Sequence, residues 1–303
     1  MTKARVAILG GGLMGHGVAQ VFACAGHETR ITDPIAATRD SIVSRISANL
    51  EDLGLDRGAL ALVTVCETLE EAVVDASFIV EAAPEDLALK QALFARAERA
   101  APADAILASN TSVIPITQVM TEVKDKARAL GTHWWNPPYL VPLVEVIRTT
   151  ATSDATVAAT MALMTAIGKA PVEVKKDVAG FVGNRLQHAL WREAIALVAD
   201  GVCDAATVDA VVKSSFGRRL AVLGPLENAD LVGLDLTQSI HRYVLPHLDR
   251  ASAPSPLLDR MIGAGKLGCK SGDGFYAWTP ERQAALRRRL TDHLKAALAA
   301  PDR

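Results

Sequence analysis

The sequence predicts an α/β protein, a doubly wound and mostly parallel sheet followed by a smaller all-helical domain. Short apolar runs at 5–9, 28–32, 61–66, 77–81 and 105–109 alternate with stretches whose apolar residues recur at helical spacing, the pattern of successive βαβ units. The first run meets Gly10-Gly-Gly-Leu-Met-Gly15 and then an Ala-rich helical pattern to Ala25. Beyond about residue 180 the strand pattern gives way to helical spacing over 181–199, 204–214 and 227–245.

In order along the chain, the opening strand, glycine turn and helix make a Rossmann-type dinucleotide site. Gly10 permits the tight turn, Gly12 lets a pyrophosphate approach the backbone, and Gly15 lets helix and strand pack closely. Leu13 and Met14 complete the loop at the helix N-terminus, where the negative charge is received. The second strand, 28–32, ends at Asp33. A carboxylate there can accept hydrogen bonds from ribose hydroxyls and repels a 2′-phosphate, so NAD is expected rather than NADP. The competing reading is an ordinary βαβ turn in which Asp33 caps the next helix.

A helix over 35–53, a glycine-containing break and the strand 61–66 follow, then the strand 77–81, Ala82-Ala-Pro-Glu85, a helix over 86–100 and the strand 105–109. In a doubly wound sheet ligands sit beyond the carboxyl ends of the strands. That singles out Glu85 and Lys90 after one strand and Ser109-Asn-Thr-Ser112 after another. Helix capping and a solvated helix face would explain the same residues.

Residues 130–134 read as a strand, Asn136-Pro-Pro138 as a forced turn, and 143–147 as the next strand, a layout that can bring His133 and Glu145 together. A carboxylate beside an imidazole fixes its tautomer and stabilises the imidazolium, which makes a proton acceptor near neutral pH. The alternative is a satisfied core histidine and an edge-strand carboxylate. A helix over 152–167 and a last strand, 170–174, bring the chain to a boundary near 177–180, hence expected domains of 1–178 and 179–303. The apolar helical domain suits a partner interface, or a monomer that buries it internally. Lys270-Ser-Gly-Asp-Gly274 is a tight turn, and Arg287-Arg-Arg289 lies on a solvated face of the terminal helix.

Composition narrows the function classes. With 303 residues, 50% of them hydrophobic, there is room for one large domain or two ordinary ones. Thirty-two basic against 34 acidic residues, net −2, give no field for nucleic acid or a membrane surface. Cys24, Cys66, Cys203 and Cys269 lack metal-ligand spacing, and no metal is expected. No apolar run is long enough for a bilayer and no basic stretch with an apolar core opens the chain, so a cytoplasmic location is expected.

Six motifs, Gly10-Gly-Gly-Leu-Met-Gly15, Ser109-Asn-Thr-Ser112, His133-Trp-Trp-Asn-Pro137, Leu143-Val-Glu-Val146, Gly180-Phe-Val-Gly-Asn-Arg185 and Lys270-Ser-Gly-Asp-Gly-Phe-Tyr276, occur in order between about 6 and 278. Together they resemble the 3-hydroxyacyl-CoA dehydrogenase superfamily. The resemblance implies an NAD-binding Rossmann domain joined to a helical domain that forms a homodimer interface. It implies His133 as general base with Glu145 as its partner, and Ser112, Asn136 and Asn184 around the substrate hydroxyl. Glu85, Lys90 and Asn110 would then lie along the nicotinamide half of the cofactor. Oxidising an alcohol sends a hydride to nicotinamide and a proton to a base, so one positioned imidazole suffices.

The chain departs from the acyl-CoA members in two places. They carry a longer, lysine-rich helical extension after the second strand, whereas 39–61 is short and contains no lysine. In place of their Pro-Met-Gly-Pro turn stands Phe216-Gly-Arg-Arg-Leu-Ala-Val-Leu-Gly-Pro225. That segment, with Asn136-Pro-Pro-Tyr139, is more similar to the branch that includes L-gulonate 3-dehydrogenase, lens lambda-crystallin, carnitine dehydrogenase and a pyridoxine-catabolic dehydrogenase. Arg218 or Arg219 could hold a free carboxylate in a bidentate fork, or both could be solvated turn residues. The expected reaction is therefore oxidation of a small free hydroxy acid or related hydroxy compound. A CoA thioester substrate, and a non-catalytic dinucleotide-binding protein, are the alternatives.

Overall fold

The computed structural model describes residues 3–299; the outermost ends of the two expected domains, 1–2 and 300–303, lie outside the described residues. Eight strands, β1 (Arg5–Leu9), β2 (Glu28–Thr32), β3 (Val63–Cys66), β4 (Phe78–Glu81), β5 (Ile106–Ser109), β6 (Ala129–Trp134), β7 (Leu143–Ile147) and β8 (Ala170–Val174), form one sheet in the order β3-β2-β1-β4-β5-β6-β7-β8. Neighbours run parallel except β6 and β7, which are antiparallel. The chain winds outward from β1 to β3 and resumes at β4 on the other side of β1. That reversal leaves a crevice at the carboxyl ends of β1 and β4, the place such sheets bind ligands.

Period-two alternation sorts the strands' side chains onto two faces. Val6 and Ile8 of β1 pack with Val18 and Phe22 of α1 (Gly15–Cys24) and with Ile42 and Ile46 of α2 (Ala36–Leu53). Ala7 and Leu9 face the opposite cluster, which holds Leu69 and Val73 of α3 (Leu69–Val73), Phe94 of α4 (Leu87–Ala100) and Ile116 of α5 (Ile116–Val119). Met164 of α6 (Asp154–Ala166) joins the first cluster. Thr68 and Glu71 form a reciprocal capping box at the start of α3. A 3-10 turn over Arg57–Leu62 takes the first residues of the expected third strand.

The described residues form two compact units, 3–185 together with 291–299, and Leu186–Leu290. The helices beyond β8 are α7 (Gly183–Ala199), α8 (Ala205–Ser214), α9 (Pro225–Val232), α10 (Leu234–Val244), α11 (Pro256–Gly263) and α12 (Pro280–Ala299). The single helix expected over 227–245 is two, parted at Gly233, whose φ of 105° a residue with a side chain rarely adopts. The Gly272 turn is closed by the Trp278 N–H donating to the Gly272 carbonyl. The Arg282 guanidinium, 4.9 Å from the ring centroids of both Tyr276 and Trp278, staples it from the start of α12. No residue of α8 to α11 is buried, and Val222, Leu226 and Tyr243 are 88%, 80% and 78% exposed. Among the described residues no helix is long and apolar enough to cross a membrane.

Candidate active site

The three motif glycines of the β1–α1 turn are required for three different reasons. Gly10 has a φ of 111°, and a Cβ there would meet the Ala82 carbonyl oxygen at 2.6 Å. At Gly15 a Cβ would fall 1.7 Å from the Gly10 oxygen, so that position belongs to packing. Nothing lies within 4 Å of a Cβ at Gly12. The chain therefore keeps space open at Gly12 that none of its own atoms fill, as a diphosphate approaching the backbone requires. Gly10, Gly12, Leu13, Met14 and Asp33 line a cleft of about 700 Å³ at the β1–β4 crevice, within the range of cofactor sites. Asp33 is the buried carboxylate of that lining. Its carboxylate accepts the Gly11 N–H at 2.8 Å and the Ile35 N–H at 2.9 Å, tying the turn to the end of β2. These residues fit the adenosine and diphosphate half of a dinucleotide.

Beyond β4 and β5 lies a buried ionic cluster. Lys90 is fully buried, and its ammonium reaches Glu81 Oε1 at 2.7 Å, Glu85 Oε2 at 3.3 Å and the Ala83 carbonyl at 3.2 Å, one acceptor for each N–H. Glu81 is fully buried as well and takes the Ser109 hydroxyl and the Ala83 N–H, both at 2.7 Å. Glu85 Oε1 accepts from the Thr111 hydroxyl and from the Ser112 and Val113 N–H groups. Burial works to raise the Glu85 carboxyl, but the Thr111 hydrogen bond, the Lys90 charge and the two N–H groups together hold it below its ordinary value. The Asn110 side-chain carbonyl accepts the Trp134 N–H at 2.9 Å, fastening the end of β5 to the end of β6.

His133 and Glu145 are direct register partners across the antiparallel β6–β7 pair, so both side chains leave the same face of the sheet. His133 Nδ1 lies 2.7 Å from Glu145 Oε2, and both residues are buried. With Nδ1 donating to the carboxylate, the lone pair falls on Nε2. Glu145 Oε1 accepts the Val182 and Gly183 N–H groups at 2.9 and 3.0 Å. Burial pushes the Glu145 carboxyl up, and its bonds to His133, Gly183 and Val182 outweigh that and keep it below the usual carboxylate range. Phe181, buried and held at a φ of 49°, gives the bend from which the next two N–H groups reach Glu145. The imidazole packs between the rings of Trp135 and Phe181, at centroid distances of 5.2 and 5.7 Å. A Cβ on Gly183 would fall 2.4 Å from Trp135 Cζ2, so only glycine leaves room for that indole.

Asn184 donates its side-chain amide to the Ser112 carbonyl at 2.7 Å, joining the start of α7 to the loop after β5. Asn136 is exposed, and no side-chain hydrogen bond ties it to the others among the described residues. Arg218 ends a 3-10 turn, Phe216–Arg218, and both it and Arg219 are exposed within the Leu186–Leu290 unit.

The sequence matches the family models described as 3-hydroxyacyl-CoA dehydrogenase, NAD binding domain, over 5–178, and 3-hydroxyacyl-CoA dehydrogenase, C-terminal domain, over 180–278. The chain belongs to the 3-hydroxyacyl-CoA dehydrogenase family. It is an NAD-dependent oxidoreductase of the group acting on CH–OH carbons. It is 36% identical over 287 residues to 5-formyl-3-hydroxy-2-methylpyridine 4-carboxylate 5-dehydrogenase of Mesorhizobium japonicum, covering 93% of each chain. A crystal structure of an enzyme of that name, described as an NAD+ dependent dismutase, matches with a TM-score of 0.91, 35% identity and 97% of each chain. L-carnitine dehydrogenase of Streptomyces griseus is 41% identical over 264 residues, covering 82% of this chain and 79% of that one. The 3-hydroxybutyryl-CoA dehydrogenase of Mycobacterium tuberculosis is 39% identical over 290 residues, covering 90% and 98%.

Sequence reasoning assigns no role to Glu81, nor to Trp135 and Phe181 within their motifs. Glu81 carries a signal: a carboxylate closing an otherwise apolar strand needs a buried partner, and Lys90 stands on the next helix. Phe181 and the Trp135–Gly183 contact have no such signal, because each depends on a neighbour distant in sequence.

Proposed function

We propose that this dehydrogenase oxidises the hydroxyl-bearing carbon of a small free hydroxy acid or related hydroxy compound, with His133 as the general base. The observation that carries the reading is the 2.7 Å contact of His133 Nδ1 with a Glu145 carboxylate that two backbone N–H groups hold in place. Glu145 orients the ring, and Nε2 takes the proton from the substrate hydroxyl. As the imidazole becomes charged, the buried carboxylate stabilises it. NAD, when bound, supplies the hydride acceptor. Ser112, Asn136 and Asn184 hydrogen-bond the reacting oxygen, as alcohol and then as carbonyl. Gly10, Gly12, Leu13, Met14, Gly15 and Asp33 form the adenosine and diphosphate site. Glu85, Lys90 and Asn110 shape the nicotinamide half, with Lys90 acting through Glu85 because its three N–H groups already have acceptors.

Two relatives named for small carboxylated or zwitterionic compounds support a free acid, as does an α2 region without the lysines that would grip a CoA nucleotide. Arg218 or Arg219 is the proposed carboxylate fork. The second reading, a CoA thioester, is favoured by the identity to the Mycobacterium tuberculosis enzyme. A second copy of the chain covers the exposed apolar side chains of α8 to α10 in a homodimer, and the domains divide at about 178. A reducing cytoplasm suits the four free cysteines.

Reduction of NAD, followed by absorbance with 3-hydroxybutyryl-CoA, free 3-hydroxybutyrate, L-gulonate, carnitine and a hydroxymethyl pyridine carboxylate, separates the readings. A free acid is expected to turn over, and Arg219→Met to raise its KM. Turnover of the thioester alone reverses the choice of substrate class and leaves the base assignment standing.

A further inference from the structure

The carbonyls of the glycine turn are held from behind by a residue that no motif of the cofactor site includes. Arg45, half-buried in the middle of α2, donates Nη1 to the Gly11 oxygen at 2.9 Å and Nη2 to the Gly12 oxygen at 3.3 Å. The Gly12 oxygen also meets Nδ1 of the buried His16 at 2.7 Å. In a trans peptide the N–H points opposite to the C=O of the same unit. Fixing these two carbonyls therefore fixes the N–H groups of Gly12 and Leu13 in the opposite direction, on the side where Gly12 and Leu13 line the cleft. The Gly11 N–H is already engaged by Asp33, so it adds nothing to that outward set.

We propose that Arg45 is a positioning residue for the cofactor diphosphate, holding the Gly11 and Gly12 carbonyls so that the following two N–H groups face the phosphate oxygens. Its charge, placed behind the turn, adds to the attraction. This sets α2 a task distinct from gripping the nucleotide of a substrate: its arginine points into the fold and acts through backbone.

The test needs no substrate and so is independent of the proposed reaction. NADH affinity is measured by the fluorescence change on binding, and adenosine affinity by displacement of NADH, for the parent, Arg45→Met and Arg45→Gln, with the Tm of each protein alone as a control of folding. Methionine keeps an unbranched apolar stem and removes both donors and the charge, and NADH affinity is expected to fall by about tenfold or more. Adenosine, which lacks the diphosphate, should keep its affinity to within about twofold, since Asp33 stays in place. Glutamine restores an amide N–H donor toward the carbonyls without the charge and should recover part of the loss. The proposal is overturned if NADH affinity stays within about twofold of the parent, or if adenosine weakens as much as NADH, as for general collapse of the cleft. Glutamine no better than methionine overturns the carbonyl hold in favour of charge alone. Should the methionine variant fail to fold, the glutamine variant with both probes decides the matter.

Discussion

In the proposed reading, the groups of the β1–α1 turn that meet the diphosphate belong to the backbone; Gly12 has no side chain, and Asp33 and Arg45 hold the turn through the Gly11 N–H and the Gly11 carbonyl. At the β6–β7 end the proposed proton acceptor is a side chain, His133, paired with Glu145, and the backbone N–H groups of Val182 and Gly183 hold that carboxylate. The difference follows from the tasks. A diphosphate needs only N–H groups at fixed positions, whereas accepting a proton needs a titratable atom with a chosen tautomer.

The sharpest way to break that comparison is His133→Asn. If the two ends act separately, kcat on the best substrate of the panel should fall by about 10²–10⁴-fold while NADH affinity stays within about twofold. Unaltered turnover removes His133 from the role of base. The converse change is Gly12→Ala, whose added methyl meets no protein atom. NADH affinity should fall about tenfold or more with the Tm of the protein alone nearly unchanged, whereas Gly15→Ala should lower that Tm. A Gly12 variant that loses Tm instead would show that the glycine serves the fold.

A smaller effect is expected from Asp33→Ser, which should raise the kcat/KM ratio of NADP to NAD by roughly tenfold. An unmoved ratio takes selectivity away from Asp33. The smallest concerns Lys169, which donates to the Pro138 carbonyl and, at 3.0 Å, to that of Val141, holding the loop after Asn136. Burial pulls its ammonium down from 10.5 to about 8. The unfolded chain therefore binds more protons between those values, and this group makes stability rise with pH across that window. Lys169→Met should flatten the rise in denaturant midpoint from pH 8 to 10.5, and an equal slope in both proteins discounts the residue.

The eight strands were legible because each combines an apolar run with a turn signal at its end, and the His133–Glu145 register because a forced turn separates two short strands. The short helices α3 and α5 were not, since so few residues establish no period. At Gly233 the helical spacing continues across a glycine whose backbone breaks the helix, so spacing outvoted the breaker. Lys90 shows the limit most plainly. A lysine on an amphipathic helix reads equally as a solvated face, and only the carboxylates arriving from β4 and its following loop decide that it is buried.

Trp135 and Gly183 occupy one another's space, with an indole edge standing where any larger residue at 183 would project. Along a lineage these two positions are bound to an order of events. The ring at 135 must shrink before the glycine can be replaced, and the reverse path passes through a protein in which the Trp135 ring, packed against His133, is displaced. Grafting into this chain a 180–185 segment with any larger residue at 183 would therefore fail unless a smaller side chain at position 135 travels with it.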